Sequence, residues 1–213
     1  MPTLLLRLQA PMQSWGISSH FTNRDTGREP SKSGVIGLIC ASMGRPRDAD
    51  IADLAALLMG VRVDREGILQ KDFQVAQNIY HASGKGTKVS EISDRFYLSD
   101  AAFLVGLEGP EELLQEIQAA LRSPHWSLYL GRKAFPPSKP VFLRDGLYNE
   151  PLLVALENYP ALVTDPDSHA RVIIDSDEGE FIRSDVPISF EERRFSSRRI
   201  HMTQVKLPPP LEV

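Results

Sequence analysis

Positive side chains fall into short sets along the chain, most with glycine or serine beside them: Arg24, Arg28 and Lys32; Lys85 and Lys88; Arg132 and Lys133; Arg193, Arg194, Arg198 and Arg199. Cations neutralise phosphates, and a neighbouring glycine lets backbone N–H groups reach them, so the pattern suits a nucleic-acid backbone. The most developed set runs straight into an apolar stretch, Pro30-Ser31-Lys32-Ser33-Gly34-Val35-Ile36-Gly37-Leu38-Ile39-Cys40. A helix capped by Ser31 or Ser33 would offer an anion free N–H groups, a positive dipole end and Lys32. The same residues also describe a capped core helix whose glycines allow close packing and which needs no ligand. It is not a P-loop, because the GxxxxGK[ST] order is absent. Trp15, Tyr80, Phe96, Tyr97, Trp126 and Tyr129 could stack on unpaired bases. Trp15 and Tyr80 are the stronger stacking candidates, and the others are assigned to the core.

Catalytic chemistry finds less support. The five histidines, His20, His81, His125, His169 and His201, make no HxxxH or HExxH pair, so no metal site is expected. There is no GxSxG elbow. Glu111-Glu112 and Glu191-Glu192 suit a helix start and a solvated turn. His81 with Lys85 or Lys88 could serve as base and charge stabiliser in a metal-independent ribonuclease. A solvated loop histidine is the alternative. No cofactor is implied. Cys40 is the single cysteine, which excludes an intramolecular disulfide and points to a buried structural thiol.

The chain has 213 residues, is 42% hydrophobic and 24% charged, and carries a formal net charge of −4. It can bury a sizeable core. An acidic balance argues against indiscriminate nucleic-acid binding by the whole surface, yet leaves room for a local basic groove. No apolar run spans a bilayer and no basic n-region opens the chain, so a cytoplasmic protein with no membrane segment is expected.

The elements that must position these residues begin with a buried strand over Thr3 to Leu8. The capped helix follows a polar loop. Asp50 to Met59 shows a second helical pattern, with Ile51, Leu54, Leu57 and Leu58 on one face. Val61 to Asp64 and Phe73 to Val75 read as strands. Ile79 to Asp94 changes character: His81-Ala82-Ser83-Gly84-Lys85-Gly86-Thr87-Lys88 is small, flexible and basic, and predicts a protruding loop or hairpin. Ala101 to Leu107 is an apolar strand, and Gly109-Pro110-Glu111-Glu112 opens a helix running to about Leu121. One more strand after Leu121 would complete a ferredoxin-like, RRM-like βαββαβ unit in an α+β protein. No RNP1 aromatic string is present, so loops rather than an open sheet face would hold RNA. The remainder is strand-rich, over 171–174, 188–190 and 200–206. The expected division is 1–130, with an insertion at about 79–94, and 131–213.

Several segments match a known family in order. Leu6-Arg7-Leu8-Gln9-Ala10-Pro11-Met12-Gln13-Ser14-Trp15-Gly16 is one. Asp25-Thr26-Gly27-Arg28-Glu29-Pro30-Ser31-Lys32-Ser33-Gly34-Val35-Ile36-Gly37-Leu38 is another. Tyr80-His81, Arg95-Phe96-Tyr97-Leu98-Ser99-Asp100-Ala101, Tyr129-Leu130-Gly131-Arg132-Lys133 and Arg193-Arg194-Phe195-Ser196-Ser197-Arg198 follow. Together they resemble the CasD-type branch of the Cas-five family, a subunit of the type I-E CRISPR Cascade complex. The resemblance implies a ferredoxin-like domain with an inserted thumb and a strand-rich C-terminal part. It implies a non-catalytic subunit that caps the CRISPR RNA and grips its 5′ handle. It also implies contact with the backbone subunit CasC and the large subunit CasA, and with target DNA through the complex. In that subtype CasE cuts the precursor, while relatives in another subtype are endoribonucleases, which supplies the alternative activity. Carried onto this sequence, Lys32 with the Ser33-Gly34 helix start would hold one handle phosphate. Gly131, Arg132 and Lys133 would hold another. Gln13 and Trp15 would shape the adjoining pocket, and Arg28 would join the basic loop. Tyr80, His81, Lys85 and Lys88 would lie across the RNA on the thumb. Glu29 places an acid inside the otherwise basic loop.

Overall fold

The computed structural model describes residues 1–17, 22–81 and 83–210; His20 and Ala82 therefore lie outside the described residues. Leu4, Leu5 and Leu6, with Leu8 beyond the half-buried Arg7, are all buried in β1 (Thr3–Gln9). A strand apolar on both faces belongs inside a sheet covered on both sides. The chain continues through two short strands, β2 (Met12–Gln13) and β3 (Asn23–Arg24), into α1 (Lys32–Met43) and α2 (Ala52–Ala55). Then come β4 (Leu58–Arg65), β5 (Ile68–Tyr80), β6 (Thr87–Ser99), β7 (Ala102–Glu108) and α3 (Glu111–Arg122). The rest is β8 (Phe142–Tyr148), α4 (Leu152–Asn158), β9 (His169–Asp175), β10 (Phe181–Ser189) and β11 (Arg194–Lys206).

Seven strands form one sheet in the order β10-β11-β9-β4-β7-β1-β8, every neighbour antiparallel. The molecule is thus α+β, strand-rich, with few helices. On one face α1 and α3 cover β1, β4 and β7 with Ile36, Ile39, Leu114 and Ile117. On the other, α4 presses Leu152 and Leu156 onto Leu5, Leu104 and Val172. Gly60 and Gly106 are register partners beneath α4, and a Cβ on either would collide with Leu152 or Leu156. The absent side chains set how closely the helix lies on the sheet.

Arg62 ties this second face together. It is fully buried and donates to both carboxylate oxygens of Asp64 at 2.7 and 2.9 Å. Its other hydrogen bonds go to the carbonyls of Leu156, Tyr159 and Pro160 at 2.5, 2.5 and 3.0 Å. Asp64 also accepts from the Leu162 N–H at 2.7 Å. The orphan carbonyls at the end of α4 are satisfied by this guanidinium.

Three expectations are corrected here. The helix predicted over Asp50 to Met59 shrinks to Ala52–Ala55, because Leu58 onward pairs with β7 and β9. Tertiary strand pairing overrides the local helical pattern. The excursion at about 79–94 is the distal part of a longer hairpin, β5 against β6, paired from Ile68↔Ser99 to Tyr80↔Thr87. Its turn holds Gly84 and Gly86 at φ 72° and 76°. Finally, the strand expected over 200–206 begins earlier, because Arg194 to Arg199 already belong to β11.

Candidate nucleic-acid interface

The helix start at Ser31 forms as the capping residues require. Ser31 is extended, and its Oγ accepts from the Gly34 N–H at 3.3 Å. The next free donor, the Lys32 N–H, is not available to a ligand: it donates to the Asp185 carboxylate at 2.8 Å. The anion that the helix end attracts is a carboxylate of its own chain. The Lys32 ammonium is also internal, 3.0 Å from Asp175, and the residue is 4% exposed. Arg198 completes the group, bidentate to Asp185 at 2.7 and 2.9 Å and paired as well with Asp175. The Met59 N–H gives Asp175 a further hydrogen bond at 2.9 Å. Two buried cations thus face two buried carboxylates. Burial works to raise the Asp185 pKa, but the Arg198 hydrogen bonds and charge, with those of Lys32, outweigh it and hold it below the usual carboxylate range. The expectation that Lys32 is a free phosphate ligand is corrected: its charge is already spent inside the protein. Ser33 and Gly34 stay half-buried beside it.

Gln13 and Trp15 are buried as well. Gln13 donates to the Ala101 carbonyl at 2.8 Å and accepts from the Trp15 indole N–H at 3.2 Å. The Trp15 backbone holds the 26–27 turn, accepting from the Gly27 N–H at 2.9 Å and donating to Thr26 Oγ1 at 2.9 Å. Its ring fills the space where a Gly34 side chain would stand. Trp15 therefore wedges the basic loop against α1, and the expectation that it stacks on bases is corrected. Glu29, the acid of that loop, accepts from Arg171 at 3.1 Å and from Arg183 at 2.7 Å, so it too faces inward.

The cations that do reach the surface gather elsewhere, at the base of the β5–β6 hairpin. β3 pairs with β6 in parallel, setting Arg24 opposite Arg95. Arg132 follows Gly131, whose φ of 89° brings it against the Ser14 carbonyl with no room for a side chain. From there Arg132 donates to the Phe96 and Arg24 carbonyls at 2.8 and 3.2 Å, and lies over the Phe135 ring. Burial first, and then the charges of Arg95 and Arg24, pull the Arg132 pKa below its ordinary value; Asp72 and Asp25 offset this only partly. Among the described residues no salt bridge involves Arg24, Arg95 or Arg132. Arg28 and Lys133 are exposed.

The remaining expected residues sit at the hairpin tip. Tyr80 is 79% exposed, Lys85 and Lys88 are exposed, and His81 is half-buried. Lys88 is paired with Glu91 at 3.0 Å. From Asp72, the register partner of Arg95, to the end of β5 is about 25 Å of strand, so tip and base are separate ends of one extended surface. Sequence reasoning placed Arg24 in a basic set but gave it no role in the site, and it left Arg95 out. Only the register of β3 on β6, which no local pattern encodes, makes them neighbours. Among the described residues no group of three His, Cys, Asp or Glu could hold a metal ion, and no helix is long and apolar enough to cross a membrane.

An antiparallel seven-stranded sheet accompanied by a long hairpin with a basic base defines a recognisable class. The family model described as "CRISPR-associated protein (Cas_Cas5)" matches residues 3–203, and the chain belongs to this Cas-five family of CRISPR-associated proteins. More particularly, it is similar to the CRISPR system Cascade subunit CasD of Escherichia coli (strain K12), at 32% identity over 211 residues, covering 92% of each chain. A solved structure titled "Crystal structure of Cas protein" superposes with a TM-score of 0.82 at 44% identity, over 97% of this chain and 98% of that one. A chain of a "CRISPR RNA-guided surveillance complex" superposes with a TM-score of 0.85 at 34% identity, over 97% of this chain and 91% of that one.

Proposed function

We propose that this chain is the CRISPR RNA-binding subunit of a Cascade-type surveillance complex, capping the RNA and gripping its 5′ handle without cutting it. The observation that carries the proposal is the gathering of Arg24, Arg95 and Arg132 with no salt bridge among the described residues. Like charges repel, and a protein that keeps them together gains most from a polyanion laid across them. The bond from Arg132 to the Phe96 carbonyl fixes one fork at the surface, and Gly131 makes that path possible. Lys133 and Arg28 extend the patch, and Tyr80, His81, Lys85 and Lys88 at the hairpin tip cover a more distant part of the strand. Relatedness to CasD supports the same assignment.

The path β1-α1-β4-β7-α3-β8 is the ferredoxin-like unit in this proposal, with β8 contributed by the region after residue 130 and β9 to β11 extending the sheet. The hairpin serves as the thumb. Exposed Phe73, Val89 and Ile92 on it suit packing against a CasC-like backbone subunit. A CasA-like large subunit and target DNA are met through the assembled complex.

The test is handle-RNA binding by the assembled complex as a function of salt. Replacing Arg24, Arg95 and Arg132 together by alanine should lower the slope of log K against log salt by about two units, at roughly 0.7 per phosphate on a single strand. Unchanged affinity and slope would remove this cluster, and the proposal with it.

A further inference from the structure

Trp126 and Tyr129, assigned to the core from sequence, are 45% and 39% exposed. They stand along a groove of about 410 Å³ on the outward side of α1, within the size range of small-ligand pockets. Gly34, Gly37 and Ala41 line it one helical turn apart, so one side is nearly bare backbone. Phe190 faces them: a Cβ at Gly37 would stand 3.6 Å from its ring. The aromatic wall is fixed in place. The His125 and Trp126 N–H groups donate to the Ser42 and Ala41 carbonyls at 2.9 and 3.2 Å, and the His125 ring meets the indole edge-on at 4.9 Å.

The ends of the groove carry charge. One end is Gly131, next to Arg132 and Lys133. The other holds Arg45 and Arg47. Arg45 is neutralised by Asp53 at 2.6 Å, whereas Arg47 bonds the Phe190 carbonyl at 3.3 Å and joins no salt bridge among the described residues. An apolar slot walled by aromatics, with cations at its ends, is the arrangement that holds single-stranded nucleic acid: bases stack inside while phosphates meet the cations. We propose that this groove takes unpaired bases of the RNA whose phosphates lie on Arg132 and Lys133, stacked on Trp126 and Tyr129. The inference rests on the RNA-binding function above and names where the strand goes next. An apolar protein segment would fill the slot equally well but would leave Arg47 at its far end without a counter-charge.

The probes are single-stranded octa-adenylate RNA and an abasic octamer of equal charge, offered to the full chain at low salt. Of the two tryptophans, Trp15 is 2% exposed, so quenching reports Trp126. Octa-adenylate should quench emission and bind at least roughly five-fold more tightly than the abasic strand, the lower bound for one base–aromatic stack. Trp126→Leu and Tyr129→Leu should each reduce that preference by a similar factor and leave abasic binding unchanged. Both rings are half-exposed, so the variants should melt as wild type does. Arg132→Ala should weaken both octamers equally. Equal wild-type affinity for the two octamers would overturn the groove. So would Leu variants that bind like wild type while Arg132→Ala weakens binding, which would leave the RNA-binding function standing. Leu variants that bind RNA normally but fail to assemble would assign the groove to a protein partner and overturn the proposal. No binding of either octamer would overturn the RNA-binding function itself.

Discussion

Lys32 separates two kinds of cation in this family of loops, and Lys32→Met tests the distinction. Methionine keeps the length and apolar stem of lysine and removes only the ammonium. The remaining group is Arg198 with Asp175 and Asp185, a buried set with one uncompensated negative charge. Breaking a buried pair costs about 3–5 kcal/mol. Asp175 keeps Arg198 and the Met59 N–H, so the lower end, about 3 kcal/mol, is expected. For a chain of this size that is a fall of roughly 6–12 °C in Tm. The same preparation should bind handle RNA with an unchanged salt slope, whereas Arg132→Ala should lose about 0.7 of a unit. Urea unfolding and binding titrations at several salt concentrations, run in parallel, decide it. A variant of wild-type stability whose slope falls by about 0.7 would refute the internal role and return Lys32 to the RNA.

The Asp185 carboxyl is held below the ordinary aspartate value of about 3.9, so its stabilisation is complete above that value and is lost as pH falls through the lower folded one. Asp185→Asn should therefore be less stable than wild type at neutral pH, and the urea midpoints of the two should converge in acid; a constant gap down to about pH 2 would contradict the depressed pKa. Asp64→Ala leaves Arg62 charged and unpaired in the second core, so unfolding should show a loss of about 3–5 kcal/mol. Glu91→Ala, which removes the exposed partner of Lys88, should stay within about 1 kcal/mol. A loss below that for Asp64→Ala would show that water reaches the guanidinium.

What the sequence revealed depended on how local the information was. Leu4 to Leu8 and Ala102 to Leu107 declare themselves as strands by an apolar run, and both form. Ser31 and the glycines after it announce α1, and Ser31 is its cap. The acids after Pro110 mark α3 at the residue where it starts. The long hairpin is half-hidden because β5 is exposed along nearly its whole length and shows apolar alternation only at Phe73-Gln74-Val75. α4 was missed because its seven residues are too few for a helical period to stand out between Pro151 and Pro160. At the site, residue type alone pointed to cations but could not say which were spoken for. Lys32 and Arg198 find their carboxylates on strands more than a hundred residues from the basic loop or across a turn, and Arg24 and Arg95 meet only through strand register. The stacking candidates inverted for the same reason: Trp15 is enclosed by a turn and a helix, while Trp126 lies outside the helix it is tied to.

The position of β4 in the large sheet bears on how the protein is made. One edge of β4 pairs with β7, but the other waits for β9, about a hundred residues later in the chain. On a ribosome adding roughly 5–20 residues per second, that edge stands open for about 5–20 s, with Met59, Val61 and Val63 beside it. An unpaired apolar edge recruits other strands. Nascent chains that stall before His169 therefore carry an adhesive border, and completion of the last three strands is what covers it.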